Sequence, residues 1–145
     1  MSAYQSTLLG RTEVAKGTMA FQFEKPNDFV FKAGQYIDLT LPSQLGLPNG
    51  LTHTLSIASS PSDEELVVTT RMRDTVFKQA ISTVAIGSTA MIEGPMGSFG
   101  LHNNTARPAV FLAGVGCQCH NRGVPALHLE SLGNNPSRLQ PVHLG

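Results

Sequence analysis

The sequence predicts a mainly β fold, a small antiparallel barrel that carries one helix. Short segments in which apolar and polar residues alternate recur along the first hundred residues, and turn-forming residues separate them. One segment, residues 76–84, instead has apolar residues at the spacing of a helix face. Several short strands at regular spacing with a single helix are typical of a small antiparallel barrel.

The first two predicted strands form a pair. They span Thr7–Val14 and Thr18–Glu24 and are joined at Lys16-Gly17. In the second strand, apolar side chains occupy every other position, as in a strand with one buried face: Met19, Phe21 and Phe23.

Four further strands are predicted in the rest of the barrel. The third places Ile37, Leu39 and Leu41 on one face, and a loop rich in Gly and Pro follows it. The four strands are Gln35–Leu41, His53–Ala58, Leu66–Met72 and Ser88–Glu93.

The predicted helix follows the fifth strand. Its apolar face consists of Val76, Phe77, Ala80, Ile81 and Val84, and either Asp74 or Thr75 is expected to cap its start. After the sixth strand, Gly94–Phe99 is predicted to be a tight turn between elements.

The pattern changes after residue 106. Ala109–Ala113 is a continuous apolar run that leads into Gly114-Val115-Gly116, as a buried parallel strand does before a phosphate-binding turn. No helical pattern follows. Residues 117–145 lack an apolar period and are predicted to be irregular and disordered.

Composition excludes several classes of protein. The 145 residues carry ten basic and ten acidic side chains, so charge favours neither a nucleic-acid partner nor an anionic membrane. No apolar run has the length of a membrane span, and the N-terminus lacks a secretory signal pattern, so a cytoplasmic location is expected. Cys117, Cys119, His120 and His128 lack the usual zinc-ligand spacing, and we predict no metal site.

Two segments carry residues suited to binding a cofactor. On the fourth strand, His53 and Leu55 share one face while Thr54 and Ser56 share the other. Backbone groups at such an edge, together with the hydroxyls, can hydrogen-bond the rim of a planar heteroaromatic ring. The alternative is that these hydroxyls only line a polar face of the barrel.

The second segment is the start of the helix. Free N–H groups at a helix start attract anions, and Arg71 and Arg73 lie just before it. A pyrophosphate is a suitable ligand for this arrangement. The alternative is that both arginines are solvated charges at the end of a strand.

The order of these segments resembles that of the ferredoxin reductase-type family of flavoprotein oxidoreductases. The segments that carry the resemblance are FKAGQYIDLTLP, HTLSIASSP, TTRMRDTVFK, GSTAMIEGPMGSFGL and PAVFLAGVG. The resemblance implies a six-stranded antiparallel Greek-key barrel over residues 1–106 that binds FAD, or FMN in some members. It also implies that residues 107–116 begin an α/β domain that binds NAD(P)H. Residues 117–145, the irregular tail, depart from the family pattern.

The family motif can be transferred residue by residue. His53 stands where the family has the arginine that pairs with the cofactor phosphate, and Leu55 stands where an aromatic residue stacks on the ring. The resemblance implies that Ser56 lies near flavin N5 as the catalytic residue and that Thr54 contributes to the ring site. The ribityl and diphosphate groups are expected at Thr70, Arg71, Thr75, Val76 and Phe77.

The resemblance also implies a function. Family members pass electrons from NAD(P)H through the flavin to a ferredoxin, an iron–sulfur domain or another acceptor, and the cofactor carries the chemistry. Because the family-like pattern stops after Gly116, we expect a truncated product that lacks most of the NAD(P) domain. Two alternatives remain: a non-catalytic module that binds flavin or a partner chain supplying the NAD(P) site, and an inactive remnant.

Overall fold

The computed structural model describes residues 2–42, 50–100, 104 and 106. Within these residues the chain forms six strands and one helix. In chain order they are β1 Ala3–Ala15, β2 Thr18–Glu24, β3 Tyr36–Leu41, β4 Leu51–Ser56, β5 Glu65–Arg71, α1 Val76–Thr83 and β6 Thr89–Met96. The strand predicted at Ala109–Ala113 and the tail predicted at 117–145 lie outside the described residues.

The strands form one antiparallel sheet in the order β4-β3-β6-β1-β2-β5. Only two pairs of neighbours, β1–β2 and β3–β4, are joined directly along the chain, so the connections cross over as in a Greek key. The sheet curls until its two edge strands meet at an isolated bridge between Ile57 and Val68. The predicted antiparallel Greek-key barrel with one helix is therefore confirmed.

The long strand β1 forms a corner of the barrel. Its first residues, Ala3 to Thr7, pair with β6, whereas residues from Leu8 onward pair with β2. The register shifts between Leu8 and Gly10. A shift of this kind bends a strand and increases its twist, so β1 can pair with β6 in its first half and with β2 in its second half.

The barrel interior is filled with side chains. Every strand and the helix contribute to one apolar core, whose largest fully buried members include Phe21, Phe23, Phe29, Leu39 and Ile92. Burying a side chain of this size stabilises the fold by about 1.5–3 kcal/mol. Because side chains fill the interior of a barrel this small, a ligand as large as a flavin has to bind at its surface.

The alternating pattern in β3 agrees with the prediction. Ile37, Leu39 and Leu41 are buried, and their neighbours Tyr36, Asp38 and Thr40 lie on the other face.

The helix differs from the prediction at its first residue. Thr75 is the N-cap, and its hydroxyl accepts a hydrogen bond from Lys78 N at 3.4 Å. Phe77, Ala80 and Ile81 form the buried face, but Val76 is 63% exposed. Val76 precedes Phe77 by about 100° around the helix axis, and this rotation carries it away from the core.

The turn predicted at Gly94–Phe99 was wrong for its first three residues. Strand β6 continues through Gly94 and Pro95 to Met96, which pairs with Tyr36. The register between β3 and β6 shifts at this point, and a shifted position accommodates a proline inside a sheet. Gly94 has a φ of 143° and lies close to β3, where a Cβ would come within 3.2 Å of Ile37 Cγ2.

None of the described residues belongs to a helix with the length and hydropathy of a membrane span.

The C-terminal end of α1 is held by a residue of β1. The Arg11 guanidinium Nη1 donates hydrogen bonds to the carbonyl oxygens of Ile81, at 3.3 Å, and of Ser82. The last turn of the helix contains no basic residue of its own. Arg11 therefore supplies the positive charge that a helix C-terminus favours.

We expect Arg11→Met to lower the free energy of unfolding by about 1 kcal/mol, because the carbonyl groups lose a charged donor while the apolar stem is kept. Urea denaturation would measure the change. Lys16→Met, which removes an exposed charge at the β1–β2 turn, is the control. Equal urea midpoints for the two variants would show that the helix cap contributes nothing.

Candidate functional site

The candidate site lies where the two edge strands of the sheet diverge. Strands β4 and β5 meet at the bridge between Ile57 and Val68, and Ala58 N donates to Val67 O at 2.7 Å beside it. From there the strands separate, and the N-terminus of α1 contacts β4 on the open side. We call this region the wedge; it comprises residues 53–56 of β4, 69–71 of β5 and 75–78 around the start of α1.

Strand β4 turns backbone groups toward the wedge. Ile57 N donates to Gln35 O at 3.0 Å, which makes this a hydrogen-bonded pair of the β3–β4 ladder. Because such pairs alternate with non-hydrogen-bonded ones, His53 and Leu55 bond to β3. The N–H and C=O groups of Thr54 and Ser56 consequently point away from β3, toward the open edge.

Strand β5 shows the same alternation on the other side of the wedge. Met72 N donates to Gly17 O at 2.7 Å, so Thr70 bonds to β2, and the backbone groups of Thr69 and Arg71 face β4. The Arg71 carbonyl accepts a hydrogen bond from Lys78 Nζ at 2.6 Å.

The side chains of β4 divide between the core and the outer face. Leu55 is only 5% exposed and belongs to the core, together with its cross-strand partner Ile37. Ser56 is half-buried, and the Thr54 hydroxyl donates to the Asp38 carboxylate. This burial differs from the position that the family resemblance gives to Leu55, against the cofactor ring, because the Leu55 side chain packs in the core.

His53 lies against the start of the helix. The centroid of its imidazole ring is 4.9 Å from the centroid of the Phe77 ring, with an angle of 31° between the two ring planes. Phe77 is buried, whereas His53 is exposed to solvent. The structure thus brings two predicted site residues from distant parts of the sequence into contact.

The start of α1 concentrates positive charge. Lys78 N is satisfied by the Thr75 hydroxyl, while the N–H groups of Val76 and Phe77, in the first turn, have no partner within the helix. The side chains of Arg71 and Arg73 are exposed nearby. This combination of helix N–H groups and cations suits a phosphate or diphosphate.

Burial, and then the nearby charge of Arg73, lower the pKa of Lys78 from its usual value. The lowered pKa means that the protonated ammonium group costs the folded domain some stability at neutral pH. A bound anion beside Lys78 would offset this cost. The carboxylate of Asp74 accepts a hydrogen bond from Gln79 Nε2 and does not pair with Lys78 in the structure.

Lys78 is a site residue that the sequence analysis missed. It occurs in the quoted TTRMRDTVFK segment, but only the fold shows that its ammonium group reaches back to the end of β5. Thr70, by contrast, was predicted at the site and is buried, so its side chain contributes little exposed surface.

Ser59, which lies in the quoted segment HTLSIASSP, has a structural role. Its side chain is buried, and its hydroxyl accepts a hydrogen bond from Val67 N at 3.0 Å. This contact holds the segment after β4 against β5 next to the bridge that closes the barrel.

Within the part of the chain that the structure describes, no three His, Cys, Asp or Glu side chains cluster as metal ligands would. Cys117, Cys119, His120 and His128 lie outside that part.

Comparison with known proteins identifies the family of this fold and site. The profile of a family of FAD-binding domains matches residues 8–114. The chain belongs to this FAD-binding domain family. The resemblance seen in the sequence to ferredoxin reductase-type flavoproteins is thereby confirmed.

Solved structures share the fold of this FAD-binding domain. A ferredoxin reductase in carbazole 1,9a-dioxygenase superposes with a TM-score of 0.62 at 17% identity over 73% of the chain. A ferredoxin NADP⁺ reductase from Neisseria gonorrhoeae, with bound FAD and NADP, has a TM-score of 0.55 at 16% identity over 63% of the chain. The cytochrome P450 reductase GcoB from Amycolatopsis has a TM-score of 0.57 at 22% identity over 70% of the chain.

The matched region spans about a third of these solved chains: 32%, 36% and 31% respectively. A comparison with curated protein sequences gives no match.

Proposed function

We propose that this domain binds FAD in the wedge and serves as the flavin-binding part of an oxidoreductase. The complete system would pass electrons between NAD(P)H and an acceptor such as a ferredoxin or an iron–sulfur protein. The match to an FAD-binding domain family over residues 8–114 supports flavin as the ligand. The observation that carries the site assignment is the convergence of the open edge of β4 with the cationic start of α1.

The flavin ring is assigned to the edge of β4. The N–H and C=O groups of Thr54 and the N–H group of Ser56 face this edge and supply both donors and acceptors, as does the pyrimidine rim of an isoalloxazine. The hydroxyl of Ser56 is assigned to the neighbourhood of flavin N5. The Leu55 side chain is left out of the ring contacts because it is buried in the core.

The ribityl and diphosphate groups are assigned to the start of α1. The N–H groups of Val76 and Phe77 would face the phosphate oxygens, and Arg71 and Lys78 would supply positive charge. Thr75 would flank the ribityl chain, and His53 would stand beside the phosphates against Phe77. Thr70 is left out of these contacts because its side chain is buried and its backbone groups bond to β2.

A bound flavin supplies electron transfer in steps of one or two electrons. The residues of this chain would hold and orient it: the edge of β4 fixes the ring, and the helix start fixes the phosphates. FMN is a possible replacement for FAD, and the expected cytoplasmic location remains a prediction.

The first test is the absorption spectrum of the folded protein with added FAD and, separately, FMN. We expect a bound flavin with absorption bands shifted from those of the free cofactor and a stoichiometry of about one per chain, as for a single site of this kind. A folded protein that binds neither flavin would refute the proposal.

The same sample separates an oxidoreductase from the alternative of a binding module. Bleaching of the bound flavin by NAD(P)H would indicate that the chain itself accepts the donor. Bleaching only after a partner protein is added would indicate a module that relies on a second chain for the NAD(P) site.

We expect Lys78→Met to raise the dissociation constant for FAD about tenfold, because a charge-assisted contact to phosphate is lost. Riboflavin, which has the same ring without phosphate, should bind the variant and the parent protein equally. Isothermal titration calorimetry would measure both ligands.

Lys25→Met is the matched control for Lys78→Met. Lys25 Nζ donates to the backbone oxygens of Pro61 and Asp63, at 2.6 and 3.1 Å, just before β5 begins and so at the opposite end of that strand from Lys78. An equal loss of FAD affinity in both variants would contradict the phosphate assignment.

We expect His53→Arg to lower the dissociation constant for FAD about tenfold, because arginine adds a permanent charge with two parallel donors beside the helix start. His53→Gln, which is uncharged, should bring no such gain. An unchanged affinity in the arginine variant would show that residue 53 does not face the phosphates. Equilibrium titration at neutral pH, with riboflavin as the ligand control, provides the measurement.

A further inference from the structure

We propose that Tyr36 forms an aromatic wall against the flavin ring beside Ser56. This inference rests on the proposed function, since it assumes that the ring lies at the edge of β4. The residue that contacts the ring is then Tyr36 of β3, because the side chain of Leu55 on β4 is buried in the core.

Tyr36 is the cross-strand partner of Ser56. The two residues form a non-hydrogen-bonded pair of the β3–β4 ladder, the kind in which side chains approach most closely. Cross-strand partners share a face of the sheet, so the tyrosine ring and the serine hydroxyl both lie on the outer face. The next pair along, Ile37 and Leu55, points inward and is buried.

The tyrosine ring is held in place by the segment that follows β6. Gly97 lies so close to it that a Cβ at this glycine would be 2.9 Å from Tyr36 Cε1 and 3.0 Å from Cδ1. The Gln35 side chain secures the segment: its Nε2 donates to Gly97 O at 3.1 Å, and its Oε1 accepts from Lys32 N at 2.8 Å. The ring therefore rests on backbone yet remains 36% exposed.

No other described residue of β3 that pairs with β4 is aromatic. His53 and Phe77 lie at the other end of the wedge, against the helix start, where the phosphates are assigned. A ring bound at the edge of β4 with its reactive edge near Ser56 would thus meet the exposed aromatic side chain of Tyr36 on that face. An aromatic contact of this kind stabilises a complex beyond the contribution of its buried area.

A tyrosine in contact with a flavin can be detected through the flavin's fluorescence emission. A phenol in contact with a photoexcited flavin donates an electron to it, and the electron then returns to the phenol, so emission is lost without net reaction. Phenylalanine preserves the ring but is too hard to oxidise to do this. The chain contains two tyrosines and no tryptophan, which makes the signal assignable.

The experiment compares Tyr36→Phe and Tyr36→Leu with the parent protein, each loaded with FAD. We expect Tyr36→Phe to keep the FAD affinity and to raise the emission per bound flavin severalfold. Tyr36→Leu should raise the emission equally and also weaken FAD binding by about threefold to tenfold, because the aromatic contact is lost.

Tyr4→Phe is the matched control. The ring of Tyr4 packs edge-on against Phe29, with 5.3 Å between ring centroids, at the core. This variant should change neither the emission nor the affinity.

Unchanged emission in both Tyr36 variants that still bind FAD would overturn the role of Tyr36 and leave the proposed function standing. Failure of the folded parent protein to bind FAD would overturn both together. Circular dichroism and thermal melting of each variant would verify that the domain remains folded.

Discussion

The bridge between Ile57 and Val68 is the contact on which the arrangement of the site depends. It joins the two edge strands of the sheet at one point, and the buried Ser59 hydroxyl reinforces it through Val67 N. Because the edges are joined there and diverge beyond it, the outward N–H and C=O groups of Thr54 face the gap between β4 and β5. A fully paired β4 would have no free donors and acceptors, and an unanchored β4 would have no fixed position.

The filled core determines which side chains remain available for binding. Each strand buries one face in the apolar interior, so the side chains of Ile37, Leu55 and Val68 pack in the core and are not available to a ligand. Binding has to use what remains: the outer face, the open strand edge and the end of the helix. This division explains why a residue such as Leu55, in the middle of the transferred motif, serves the core, while Tyr36 on the neighbouring strand remains accessible.

The positive charge at the helix start makes one end of the wedge different from the other. The first-turn N–H groups, the guanidinium groups of Arg71 and Arg73 and the ammonium group of Lys78 all lie at this end of the wedge. Burial, and then the charge of Arg73, lower the pKa of Lys78. An anion bound there would offset the repulsion between these positive groups. The edge of β4 carries neutral hydroxyl and backbone groups. The helix start therefore favours an anionic group, whereas the edge of β4 favours a neutral polar one.

Side-chain alternation and helical spacing are local properties of the chain, so the six strands, the helix and the core-facing residues of β3 could be predicted from the residues alone. The sequence also placed His53, Ser56 and Arg71 in segments suited to a cofactor. The folded domain was needed to show that β6 runs through Gly94-Pro95, that Lys78 reaches Arg71 and that Tyr36 pairs with Ser56. Those outcomes depend on register and on contacts between strands that are remote along the chain, and local periodicity carries no information about either.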